Sequence, residues 1–168
     1  VWGVWYVTMG SYLIKIGFNG LNVGAAYSTI NWGAIISPFF IGMVADRFFS
    51  AERVLGVMHI VGGFILYYLV QVTEPTAFFW TLLVYALLYM PTIGLANAIC
   101  FNQMTDTKTE FPPIRVLGTI GWIVAGLIIS WMNLEDSNLV FKIGSVVSIL
   151  LGVYSFFLPK TPPQSKGK

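Results

Sequence analysis

Six apolar stretches separated by short polar connections limit this chain more than any other feature. They run from Val1 to Ile14, about Val23 to Ala45, Val54 to Val72, about Thr76 to Ile99, Ile114 to Met132, and Leu139 to Leu158. A helix rising ~1.5 Å per residue needs roughly 17–25 apolar residues to cross a hydrocarbon core ~30 Å thick. All but the first stretch reach that length. Val1 to Ile14 extends only about 21 Å and is expected to be the remainder of a truncated first helix. In hydrocarbon every backbone amide and carbonyl must be satisfied internally, so such stretches fold as spanning helices. The chain is read as an all-α membrane protein of six transmembrane helices.

Composition agrees and excludes alternatives. Only 10% of residues are charged, against 57% apolar, whereas soluble domains carry about 25% charged residues. A net charge of +2 without a basic run argues against a nucleic-acid polymer as partner. The single cysteine, Cys100, rules out an internal disulfide and a multi-cysteine metal site, and it is read as a small buried residue. No cofactor or metal is implied. His59 is the only histidine, and the chain contains no G-x-S-x-G elbow, H-E-x-x-H helix or phosphate-cradling glycine loop. An enzyme is not expected.

The connections set the topology. Lys15 to Asn22 and Thr73-Glu74-Pro75 are tight turns, Asp46 to Arg53 is charged, and Asn102 to Pro113 is a longer polar loop. Residues 1–158 form one six-helix bundle, and 159–168, rich in proline and lysine, has the composition of a linker. One side of the bundle holds Arg47, Arg53, Lys108, Arg115, Lys160, Lys166 and Lys168, the other only Lys15 and Lys142. The positive-inside rule places the richer side, and both chain ends, in the cytoplasm. Thr29-Ile30-Asn31-Trp32 resembles Thr119-Ile120-Gly121-Trp122, as two copies of a three-helix unit in inverted orientation would give.

The fifth stretch is chemically unusual. Pro112 and Pro113 suit a helix start, because the first helical amides need no carbonyl partner. Arg115 then falls in the first turn, where the helix dipole disfavours a cation. Arg115, Thr119 and Trp122 are spaced i, i+4, i+7 and share one face. A guanidinium, a hydroxyl and an indole on one stripe suit a polar, partly aromatic solute. An anchor arginine above a core threonine and an interface tryptophan is the other reading.

Further polar groups at membrane depth have a bland reading and a functional one. His59 is either a proton relay or a histidine bonded to a neighbouring helix, the latter favoured. Tyr27, Asn31 and Asn97 either make interhelical hydrogen bonds or line a cavity, the former favoured, and Trp2, Trp5, Trp80 and Trp131 are expected to belong to interfacial belts. Gly42, Asp46 and Arg47 form a G-x-x-x-D-R loop, either a solvated hairpin or a charge-paired conformational signature.

That loop resembles the cytoplasmic signature of the major facilitator superfamily, although Phe48-Phe49-Ser50-Ala51-Glu52-Arg53 replaces the usual glycine and basic residues. A narrower resemblance covers the whole chain. Gly10-Ser11-Tyr12, Ala45-Asp46 with Ser50-Ala51, Tyr89-Met90-Pro91-Thr92, and Phe111-Pro112-Pro113-Ile114-Arg115 with Gly118-Thr119-Ile120-Gly121 resemble, in order, the bacterial nucleoside:proton symporter family. The resemblance implies the amino-terminal half of a twelve-span, major facilitator-type transporter with a 3+3 inverted repeat. It implies substrate binding by Arg115, Thr119 and Trp122, the last standing where the family carries a smaller aromatic. The implied partners are a nucleoside, a proton, the bilayer and a missing carboxy-terminal six-helix half; the implied location is the bacterial inner membrane. The alternative is a six-helix solute-binding subunit of a multi-component importer.

Overall fold

In the computed structural model, residues 1–39 and 49–162 are described. Among them the secondary structure is entirely helical: α1 (Trp2–Trp5), α2 (Met9–Lys15), α3 (Gly20–Ser37), α4 (Ala51–Leu69), α5 (Pro75–Asn102), α6 (Thr107–Trp131) and α7 (Leu139–Ser155). Gly42, Asp46 and Arg47 lie outside the described residues, so the signature-loop reading stays an expectation. Three helices, α4, α5 and α6, are long and apolar enough to cross a membrane; α7 is apolar but shorter.

The first stretch is two helices rather than one. The backbone stays right-handed at Tyr6 and Thr8, but the ladder loosens between α1 and α2. At the next turn Gly17 adopts φ +96°, open to glycine without a Cβ penalty, and Asn19 caps α3 by accepting from the Asn22 amide at 2.9 Å. Glu74 caps α5, accepting from the Thr76 and Ala77 amides at 2.9 and 2.6 Å, just before Pro75. Those two amides hold its carboxyl below the ordinary glutamate range.

The start of α6 corrects the sequence expectation. The helix begins at Thr107, not at the prolines, and runs through Pro112 and Pro113. Asp106 accepts from the Lys108 amide at 3.0 Å while Glu110 reaches back to the Asp106 amide at 3.0 Å. This reciprocal cap starts the helix upstream, and the prolines merely deprive the Lys108 and Thr109 carbonyls of their in-helix amides. Arg115 is therefore in the third turn, beyond most of the dipole's reach.

Helices embedded in lipid gain little from hydrophobic burial against one another, so close packing of small residues and interhelical hydrogen bonds hold them. The α4–α7 seam is built that way. Gly56 and Gly63 on α4 meet Gly152 and Ser145 on α7. A Cβ on Gly152 would lie 2.8 Å from the Gly56 carbonyl oxygen. The Ser145 hydroxyl donates to the Gly63 carbonyl at 2.7 Å and the Ser148 hydroxyl to the His59 carbonyl at 2.8 Å. Gly33 brings α3 equally close to Ala86 of α5.

The main core gathers Trp5, Tyr12, Leu66, Phe78, Leu82, Tyr85 and Phe141 from α1, α2, α4, α5 and α7. Trp5 is fully buried, with Tyr85 and Phe141 at 5.5 and 5.7 Å, and Trp2 packs edge-on against Tyr6. Neither is a belt residue, because both point into the bundle. Trp80 and Trp131 are 59% and 84% exposed. A smaller cluster of Leu55, Met58, Leu95 and Ile99 covers the other end, with Leu158 against it. The stretch expected to be a linker is tied down at Thr161, whose amide donates to Glu52 at 3.0 Å and whose carbonyl accepts from the Ala51 amide at 3.1 Å.

Candidate functional site

A cavity of about 770 Å³ opens between α1, α5 and α6, within the ~300–1,000 Å³ range of small-molecule sites. Arg115, Thr119 and Trp122 all line it, so the structure brings the three sequence-derived candidates together on one wall. The lining also includes Trp2 and Gly3 from α1, and Tyr89, Asn97 and Cys100 from α5.

The wall is ordered in layers along α6. At one level Phe101 and Phe111 pack at 4.6 Å and close the α5–α6 hairpin. Four residues on, Arg115 has no carboxylate partner among the described residues. The nearest acid in sequence, Glu110, is committed to the Asp106 amide and the Thr105 hydroxyl. A guanidinium on the wall of this mainly apolar cavity keeps five donors available. Thr119 donates to the Arg115 carbonyl at a long 3.5 Å, leaving its oxygen lone pairs to the cavity. Beyond it, Trp122 meets Trp2 edge-on at 5.3 Å, and Trp2 meets Tyr89 at 5.9 Å. The Trp2 indole nitrogen is buried with no hydrogen-bond partner. Gly3 permits this crossing, since a Cβ there would stand 3.2 Å from Trp122 Cα.

The other polar candidates divide. Tyr27 makes the expected interhelical bonds, accepting from the Gly10 amide at 3.0 Å and donating to the Tyr6 carbonyl at 3.1 Å. His59 bonds to a neighbouring helix: its Nδ1 lies 3.2 Å from Ser148 Oγ. Because the only Ser148 hydroxyl proton goes to the His59 carbonyl, the imidazole is the donor, from Nδ1–H. Asn97 has no side-chain bond among the described residues and lines the cavity instead. Cys100 is only half-buried on the same wall. Sequence reasoning missed Gly3 and Cys100 as wall residues and favoured packing over cavity lining for Asn97; the i, i+4 spacing of Tyr89, Ile93 and Asn97 was the available signal.

A family model described as "Nucleoside H+ symporter" matches residues 1–168. The putative nucleoside transporter YegT of Escherichia coli K12 is 43% identical over 175 residues, covering 100% of this chain and 41% of its own length. The xanthosine permease of the same strain is 43% identical over 171 residues, covering 99% of this chain and again 41% of its length. The chain thus spans about two-fifths of these curated relatives. The crystal structure of the nucleoside transporter NupG superposes with a TM-score of 0.91 at 37% identity, covering 99% of this chain and 43% of NupG.

Proposed function

The chain belongs to the nucleoside H+ symporter family, a family of transporters rather than enzymes, and from that premise we propose that it forms one half of a proton-coupled nucleoside carrier in the bacterial inner membrane. Six spans arranged as two inverted three-helix units make up this half, and a further six-helix half completes a major facilitator-type transporter. Two such bundles rock about a midplane site, and proton binding biases which side is open. The lysine and arginine asymmetry puts both ends of this half, and linker 159–168, in the cytoplasm.

The observation that carries the reading is the convergence of Arg115, Thr119 and Trp122 on one cavity. Arg115 donates to polar acceptor atoms of the nucleoside, and it does so bidentately where two acceptors lie side by side. Thr119 adds a hydroxyl, and the Trp122 indole offers a face for the base. Gly42, Asp46 and Arg47 act in the conformational exchange. The relatives named above are transporters and permeases, which favours a carrier over the subunit of a multi-component importer.

Arg115→Lys in the full-length protein tests this. The charge stays but the planar fork is lost, so uptake of radiolabelled uridine is expected to fall at least tenfold at unchanged membrane expression. Wild-type uptake in the variant would return Arg115 to the role of a headgroup anchor.

A further inference from the structure

One polar group in the cavity has no task in that reading. Asn97 lines the 770 Å³ cavity and also borders a second one, about 530 Å³, on the α3 side beside Ser37 and Pro91. With open space on both flanks, its carboxamide has no hydrogen-bond partner among the described residues. A carboxamide at membrane depth is costly to leave unpaired, and both flanks of Asn97 open onto space that water or a solute can fill.

Its level is set by the helix rise. α5 and α6 run antiparallel from the Phe101–Phe111 contact at 4.6 Å. Asn97 lies four residues before Phe101 and Arg115 four after Phe111, so each sits about 6 Å from that contact. The two side chains therefore face the cavity at one height. Trp122 is seven residues further along α6, about 10 Å away.

Donor and acceptor chemistry then assigns roles. Arg115 can only donate, as can the Trp2 indole. Asn97 carries the one side-chain carbonyl on the wall, among the described residues, and no carboxylate lines it. A nucleoside presents donors as well as acceptors. With its base against Trp122, its ribose reaches the Arg115–Asn97 level. Resting on the nucleoside reading above, we infer that Asn97 is a specificity-determining contact whose carbonyl oxygen accepts a ribose hydroxyl of the bound nucleoside.

The test is equilibrium binding of uridine, of 2′-, 3′- and 5′-deoxyuridine, and of 3-methyluridine to the purified full-length protein. Wild type, Asn97→Leu and Asn97→Ala are compared, the alanine variant reading the same loss without added bulk. Both variants are expected to raise the uridine Kd about two- to tenfold, the loss of one neutral hydrogen bond. They should also erase the wild-type penalty for one of the deoxy analogues while leaving that for 3-methyluridine. Unchanged deoxy penalties in both variants would overturn the assignment, and so would loss of the 3-methyl penalty alone, which would put the base at Asn97. Failure of the wild type to bind any nucleoside would instead sink the functional reading on which this rests.

Discussion

Gly152→Ala is a substitution that the packing of this bundle tolerates poorly for its size. An ideal Cβ at Gly152 would lie 2.6 Å from Ile60 Cγ1, 2.8 Å from the Gly56 carbonyl oxygen and 2.9 Å from the Ile60 amide nitrogen. Ordinary carbon contacts sit near 3.5–4.0 Å. The Ile60 side chain can rotate away, but two of the three obstacles are backbone, so α4 and α7 must separate by roughly 0.5–1 Å. Overpacking of this kind costs about 1–3 kcal/mol. Helix separation also stretches the Ser148–His59 bond of 2.8 Å, one turn along, and interhelical bonds in membranes contribute about 0.6 kcal/mol each. Against this stands a gain of about 0.5–1 kcal/mol from removing a mid-helix glycine. The net expectation is a loss of about 1–2 kcal/mol. Gly24→Ala on α3, where a Cβ would meet nothing within 4 Å, is the control. The assay is unfolding of detergent-solubilised protein in SDS mixtures, followed by circular dichroism. If Gly152→Ala unfolds at the same SDS fraction as Gly24→Ala, the tight-seam account is wrong.

Two further outcomes are expected. Cys100 shares the cavity wall with Arg115, so saturating uridine should slow its alkylation by maleimide, read as the modified Cys100 peptide by mass spectrometry; an unaltered rate would separate that wall from the solute. Lys15 and Asp136 pair at 2.8 Å, and the hydrogen bond from Lys15 holds the Asp136 carboxyl below its ordinary value. A depressed carboxylate contributes stability above its unfolded pKa and loses it as pH falls through the lower folded value. The stability difference between wild type and Asp136→Asn should therefore shrink between about pH 6 and about pH 3, remaining small because both groups are half exposed. A pH-independent difference would remove the ion pair from the account.

How much of this was legible in the sequence differs by scale. Apolar run length located the third to seventh helices but joined α1 and α2 into one stretch, because the bilayer imposes length and composition more directly than it imposes helix boundaries. The boundaries were less legible. At α6 two prolines outweighed the Asp106 and Glu110 caps, although the caps set the start and the prolines lie inside. The break at Tyr6 to Thr8 has no proline or glycine within it to announce it. Trp2 and Trp5 were misplaced in a belt because tryptophan suits an interface and an aromatic core equally well. Local periodicity put Arg115, Thr119 and Trp122 on one stripe, but nothing local says which helix faces a stripe. Gly3 and Cys100 emerged only once α1 and α5 were in place, and the same placement decided for Asn97 between packing and cavity lining.

The position of α6 explains why a cation can sit on it. Among its described residues only Ile129 is buried, so α6 is no strut of the core. It is held by Phe111 against Phe101 at one end of the cavity, by Trp122 against Gly3 and Trp2 at the other, and beyond that by Ile129 in the core. Between them Arg115 and Thr119 face open volume, where the guanidinium can be hydrated and avoids the cost of an unpaired charge in hydrocarbon. The α4–α7 seam, stitched by Ser145 and Ser148, packs without any contribution from this helix. In the transport reading this divides the labour within the half: the seam keeps its shape, while the stretch of α6 between its two aromatic layers adjusts around the solute without unpacking that seam. Substitutions in the seam should therefore lower stability before affinity, and substitutions on the α6 stripe should lower affinity before stability.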